Sequence, residues 1–144
     1  MSVLKRIPMD GTFNQRAPLR RLVGATDCFS YDLSSATDRW PLILMHDIVM
    51  YLFDKSFAPV VVCFVIGQPM GYYLSWALFA LTHHIIVWLS VEEVYPGQVF
   101  NKYAVLGDDV LIADKQVRPV YKSIINDLGV KYRLLNPLYQ IVDV

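Results

Sequence analysis

Between Ser56 and Val91 the chain has no Asp, Glu, Lys or Arg. A stretch of that length without charge must be covered by protein or by lipid, because water cannot solvate it cheaply. It reads as two pieces. Val60–Ile66 is β-branched and suits a strand. Gly67-Gln68-Pro69-Met70-Gly71 then breaks the chain, and Tyr73–Ser90 reads as one long helix, apolar on all sides. Residues 72–91 are long enough to span a bilayer, for which about 20 apolar residues suffice. Ser75, Thr82, His83 and His84 set polar atoms inside that segment, which is costly in lipid. A core helix and a membrane-associated helix therefore both remain open.

The other elements favour a core. Phe29–Leu33 is a short apolar run that suits a buried strand, and Pro41 opens a helix over Leu42–Phe53. Phe100–Leu106 and Val110–Ala113 flank Gly107-Asp108-Asp109, the pattern of a β-hairpin. Val117–Leu128 reads as a helix stopped by Gly129, with Val130–Leu134 as a last strand. The first 28 residues, broken by Pro8, Gly11, Pro18 and Gly24, read as irregular. This order gives an α+β fold in which helices pack on an antiparallel sheet.

Charge restricts the function classes. Lys+Arg and Asp+Glu both number 13, so the formal net charge is zero, where a free-standing nucleic-acid binder carries a basic excess. Lys5, Arg6, Arg16, Arg20 and Arg21 face a single early acid, Asp10, which fits either a mitochondrial leader or a solvated basic surface. Cys28 and Cys63 lack metal-ligand spacing and read as free thiols in a reducing compartment.

Chemistry-bearing residues concentrate in three places. In Tyr31-Asp32-Leu33-Ser34-Ser35-Ala36-Thr37-Asp38-Arg39 a strand ends on one carboxylate and a second follows shortly. The Gly67–Gly71 loop leads into a helix carrying Ser75-Trp76, and Gly107-Asp108-Asp109 forms a tight turn. Carboxylates brought together raise one another's pKa, and a divalent cation removes that repulsion. Asp-Asp at a turn and an Asp before a helix are also ordinary structural choices. The combination and its order carry more weight than any one part.

At these residues the chain resembles the mitovirus RNA-dependent RNA polymerases. Asp32–Arg39 is similar to polymerase motif A, and Gly67–Gly71 with Ser75-Trp76 and Leu81-Thr82-His83-His84 to motif B. Tyr103–Asp109, continuing to Ile112-Ala113-Asp114-Lys115, is similar to motif C. Ile7–Gln15 resembles the stretch before motif A, and Leu128-Gly129-Val130 the start of motif D. The resemblance implies part of a right-hand polymerase palm, an antiparallel sheet with packed helices, with fingers and thumb missing. It implies Asp32 and Asp108 as principal Mg²⁺ ligands assisted by Asp109, two ions in all, with Mn²⁺ as a substitute. Asp38 and Ser75 would recognise the ribose, and Gly67 and Gly71 would line the template and nucleotide loop. The partners implied are an RNA template and ribonucleoside triphosphates.

Several positions depart from the pattern. Leu74 stands where a Ser is expected, the Asp38–Gly67 connection is short, Lys131 is a poor match to the motif D lysine, and likeness ends after Tyr132. The expected organisation is a fingers–palm junction over residues 1–28, a palm over 29–134 and a degenerate tail over 135–144. The expected function is an inactive viral remnant in a mitochondrion, with a split polymerase completed by another chain, or a membrane-associated protein, as the alternatives.

Overall fold

The computed structural model describes residues 3–34, 40–52 and 73–135, with the side chains of 73–75 outside the description. Asp38, the Val60–Ile66 segment and the Gly67–Gly71 loop lie outside the described residues. The described elements run in order: a 3-10 turn Leu4–Arg6, α1 Arg16–Arg20, β1 Phe29–Leu33, α2 Leu42–Leu52, α3 Tyr73–Val94, β2 Tyr103–Leu106, β3 Asp109–Ile112, α4 Val117–Asp127 and β4 Tyr132–Leu135.

The four strands form one antiparallel sheet in the order β2-β3-β1-β4. Because side chains alternate across a strand, the sheet has two distinct faces. Tyr31, Leu33, Tyr103, Val105, Val110 and Ile112 point to one of them and join a large core with Phe79, Ile86 and Val87 of α3. Val117, Tyr121 and Ile125, spaced four apart on α4, complete that core. The opposite face carries Ala104 and Leu111, covered by Leu19 and Leu22 at and just beyond α1. Asp32 and Asp109 belong to this second face.

α3 is apolar all round because much of it is interior. A window from Trp76 to Val94 has the length and hydropathy to cross a membrane, and 56% of it is buried within the protein. Its polar residues have partners there. Trp40 donates its indole N–H to Thr82 Oγ1 at 2.7 Å, and Thr82 donates to the Phe79 carbonyl at 2.9 Å. His83 Nε2 lies 2.7 Å from the Tyr121 hydroxyl, and Ser90 donates to the Ile86 carbonyl at 2.8 Å.

The first 28 residues, expected from their breakers to be irregular, are mostly turns and bends, but they hold two short helical segments and one bridge. Asn14 Oδ1 accepts the backbone N–H groups of Arg16 and Ala17, at 3.2 and 3.3 Å, and so starts α1, with Pro18 tolerated in the first turn. Further upstream, Asp10 bridges in parallel to Val105 on the outer edge of β2. Gly11 donates to the Val105 carbonyl at 2.7 Å, and Val105 donates to the Met9 carbonyl at 3.0 Å. A Cβ on Gly11 would stand 2.9 Å from the Val105 oxygen, so only glycine permits this approach.

Candidate active site

The site is built from three strand ends. Leu106 pairs with Asp109, leaving Gly107-Asp108 as a two-residue turn between β2 and β3. Gly107 takes φ +72°, the left-handed conformation that tight hairpin turns require. A Cβ there would also lie 2.9 Å from Cζ2 of Trp76, which lies against the turn. Position 107 thus needs glycine for two independent reasons.

Asp32 pairs with Asp109 on one side and with Arg133 on the other. Leu106, Asp109, Asp32 and Arg133 therefore form one row across the sheet, their side chains on the face away from α3 and α4. The Leu33 N–H donates to the Asp108 carbonyl at 3.2 Å, which ties the turn to the end of β1. Asp108 is exposed, while Asp32 and Asp109 are half-buried. Burial, and then the carboxylates of Asp108 and Asp32, push Asp109 up to about 6. The juxtaposition of like charges expected from the sequence is present.

The row also contains a cation. Arg133 Nη2 donates to Asp32 Oδ2 at 2.8 Å, a charge-assisted hydrogen bond. The three aspartates suit a hard divalent cation in donor type. In arrangement they do not, because Asp32 is engaged by the guanidinium. Among the described residues, no three His, Cys, Asp or Glu side chains come together to hold a metal ion. Ser75 lies near the start of α3, Lys131 is exposed beside β4, and Asp38, Gly67 and Gly71 are outside the described residues.

Sequence reasoning missed a buried polar network behind the turn. His84 Nε2 lies 3.0 Å from Asp10 Oδ2, and His84 Nδ1 lies 3.0 Å from the Tyr103 hydroxyl, with His84 and Asp10 side chains almost wholly buried. Trp88 donates to the same hydroxyl at 2.6 Å, and Thr12 donates to both Asp10 oxygens, at 3.0 and 3.1 Å. The contacts are satisfied when His84 donates from Nε2 to Asp10 and the Tyr103 hydroxyl, which accepts from Trp88, donates to Nδ1. The network clamps the segment around Asp10 to α3 and β2. Its only trace in the sequence is a pair of histidines in an otherwise apolar helix.

A cavity of about 590 Å³ lies at the opposite end of the hairpin, among Arg21, Asp27, Tyr95, Lys102, Asp114 and Lys115. Three of its charged residues, Asp27, Asp114 and Lys115, serve the fold. Lys115 pairs with Asp27 at 2.9 Å, and Asp114 Oδ1 accepts the N–H groups of Gln116 and Val117 at the start of α4.

A two-faced antiparallel sheet with acids at a hairpin turn and at the end of its central partner strand defines a class of α+β protein with a carboxylate site at one sheet end. The mitovirus RNA-dependent RNA polymerase family profile matches residues 1–60 and 61–134, and the chain belongs to that family. The two matched pieces meet between residues 60 and 61, inside the Asp38–Gly67 connection. An uncharacterized mitochondrial protein of Arabidopsis thaliana is 51% identical over 150 residues, covering 88% of this chain and 74% of the relative. A second mitochondrial protein of Arabidopsis thaliana is 44% identical over 155 residues, covering 90% of this chain and 62% of the relative. The RNA-directed RNA polymerase of Cryphonectria parasitica mitovirus 1 is 34% identical over 146 residues, covering 88% of this chain and 18% of the polymerase. No solved structure matches.

Proposed function

We propose that this chain is the palm portion of a mitovirus-type RNA-directed RNA polymerase, resident in a plant mitochondrion as an endogenised copy, and that alone it does not polymerise. The carrying observation is the cross-strand row that sets Asp32 against Asp109 beside the Gly107-Asp108 turn, on the sheet face away from α3 and α4. An acid-bearing central strand beside an acid-bearing hairpin suits template-directed ribonucleotidyl transfer, in which carboxylates hold Mg²⁺ against triphosphates. Asp32, Asp108 and Asp109 are its candidate ligands for two Mg²⁺ or Mn²⁺ ions, a role they can take only once the Arg133 guanidinium leaves Asp32. Asp38 and Ser75 are the ribose contacts, and Gly67 and Gly71 the template loop.

Two features support the absence of activity. The chain has no net positive charge with which to hold a polyanionic duplex, and Asp32 is engaged by Arg133. RNA template and ribonucleoside triphosphates become partners if another chain supplies the cationic surface and the positioning of reactants. The mitochondrial assignment follows the two Arabidopsis relatives, which are mitochondrial proteins.

The test is nucleotide incorporation on a primed RNA template with Mg²⁺ or Mn²⁺, comparing the folded protein with Asp108→Ala. No incorporation by either is the expected result. Incorporation that disappears in Asp108→Ala would overturn the inactive reading and establish a working palm.

A further inference from the structure

The family match continues to residue 134, past the Tyr132 limit expected from the sequence, so Arg133 lies within the matched region. Residue 133 is an arginine, and the β1–β4 register places it directly opposite Asp32. Its guanidinium bonds the carboxylate at 2.8 Å. The Asp32 side chain is 20% exposed and that of Arg133 75% exposed, so the cation sits at the solvent-facing rim of the row. The rest of the row offers Asp32 no competing cation: its other cross-strand neighbour is Asp109, and the row ends on Leu106.

We propose that Arg133 is the resident counter-cation of Asp32 and decides whether this carboxylate accepts a divalent ion, which must displace the guanidinium to bind. The inference rests on the reading of Asp32 as a cation ligand. A guanidinium and a divalent cation compete for the same carboxylate oxygens, and only one of them leaves the remaining coordination open to phosphate. Arg133 is exposed and sits on an edge strand, so it can swing away without disturbing the core. The same residue therefore weakens cation binding without abolishing it.

The experiment measures Mn²⁺ binding to the full chain by electron paramagnetic resonance of the free ion. Four proteins are compared: the natural sequence, Arg133→Gln, Asp32→Asn and the double variant. A carboxylate–guanidinium pair at a surface is worth a factor of up to about five, and removing a positive charge beside the incoming ion adds to it. Arg133→Gln is expected to bind Mn²⁺ roughly fivefold to tenfold more tightly, and Asp32→Asn to erase that gain in the double variant. Equal affinities for the natural chain and Arg133→Gln would overturn the proposal. So would a gain that survives Asp32→Asn, because it would then reflect charge in general. Absence of Mn²⁺ binding in all four would overturn it too, while the palm reading would still be judged separately by incorporation. Should Arg133→Gln fail to fold, Arg133→Lys keeps the charge without the planar fork and is expected to tighten binding by a smaller factor. No change in that variant would count against the proposal.

Discussion

His83 and His84 are neighbours on α3, both wholly buried, and each solves its burial differently. His84 is held between Asp10 and Tyr103. Asp10→Ala would leave His84 and both Thr12 donors without their acceptor, and losses of that kind cost about 2–3 kcal/mol. Urea unfolding should show this as a lowered midpoint with little change in slope. His83 faces Tyr121 through Nε2, and among the described residues no well-formed hydrogen bond reaches its Nδ1. Desolvation first, and then the neighbouring His84, hold it down to about 3 from the ordinary 6.5. Its folded pKa is therefore depressed, so the unfolded chain takes up the proton first on acidification. Stability from this group is full above 6.5 and falls as pH drops from about 6.5 toward 3, at most about 1.4 kcal/mol per unit. Asp109 works oppositely. Its raised pKa, near 6, makes the folded chain the better proton acceptor, so acidification through that region stabilises. Comparing urea midpoints at pH 7.5 and 5 for the natural chain and His83→Gln separates the two, and the His83→Gln protein should lose less stability on acidification.

Elements with a clear pattern of their own were legible in the sequence. Phe29–Leu33 and the Gly107 turn appear where the apolar runs and the glycine place them, and Val117, Tyr121 and Ile125 mark the buried side of α4. Helix α3 runs one turn beyond Ser90, to Val94, and Pro96-Gly97 follows it, with Gly97 at φ +69°. Long-range pairing was not legible. Nothing in Met9-Asp10-Gly11 announces an edge contact with Val105, and nothing local to Arg133 announces Asp32, because strand register is a property of two distant segments. The acids themselves were legible, whereas the guanidinium among them was not. The hairpin gives a direct check. Gly107→Ala meets both an unfavourable φ and the Trp76 ring, and a cost of about 1–3 kcal/mol is expected for backbone strain of this kind. Thermal melting should report it, and Trp76→Ala in the same background should recover the part due to contact alone.

Taken together, the described elements bury a substantial core yet leave large apolar side chains in water. Ile43 is 78% exposed and Tyr51 90%, and Trp76, Trp88 and Leu89 are also exposed. Apolar surface of this sort promotes association. Sedimentation velocity over a range of concentrations should show reversible self-association, and Ile43→Glu with Leu89→Glu should reduce it while leaving the melting temperature nearly unchanged. A single monomeric species at all concentrations would show that these residues are singly tolerated and do not act as a patch.

The strand order has a consequence for how the chain comes into being. β1 lies between β3 and β4, so both neighbours of Asp32 are made long after it, and its contact with Arg133 spans 101 positions. At about 5–20 residues per second of synthesis, the first strand waits on the order of ten seconds for its last partner. During that interval the uncharged stretch from Ser56 to Val91 leaves the ribosome before the sheet that covers α3 exists. The nascent chain is thus a natural client for a holding chaperone, and its yield in translation should depend on one.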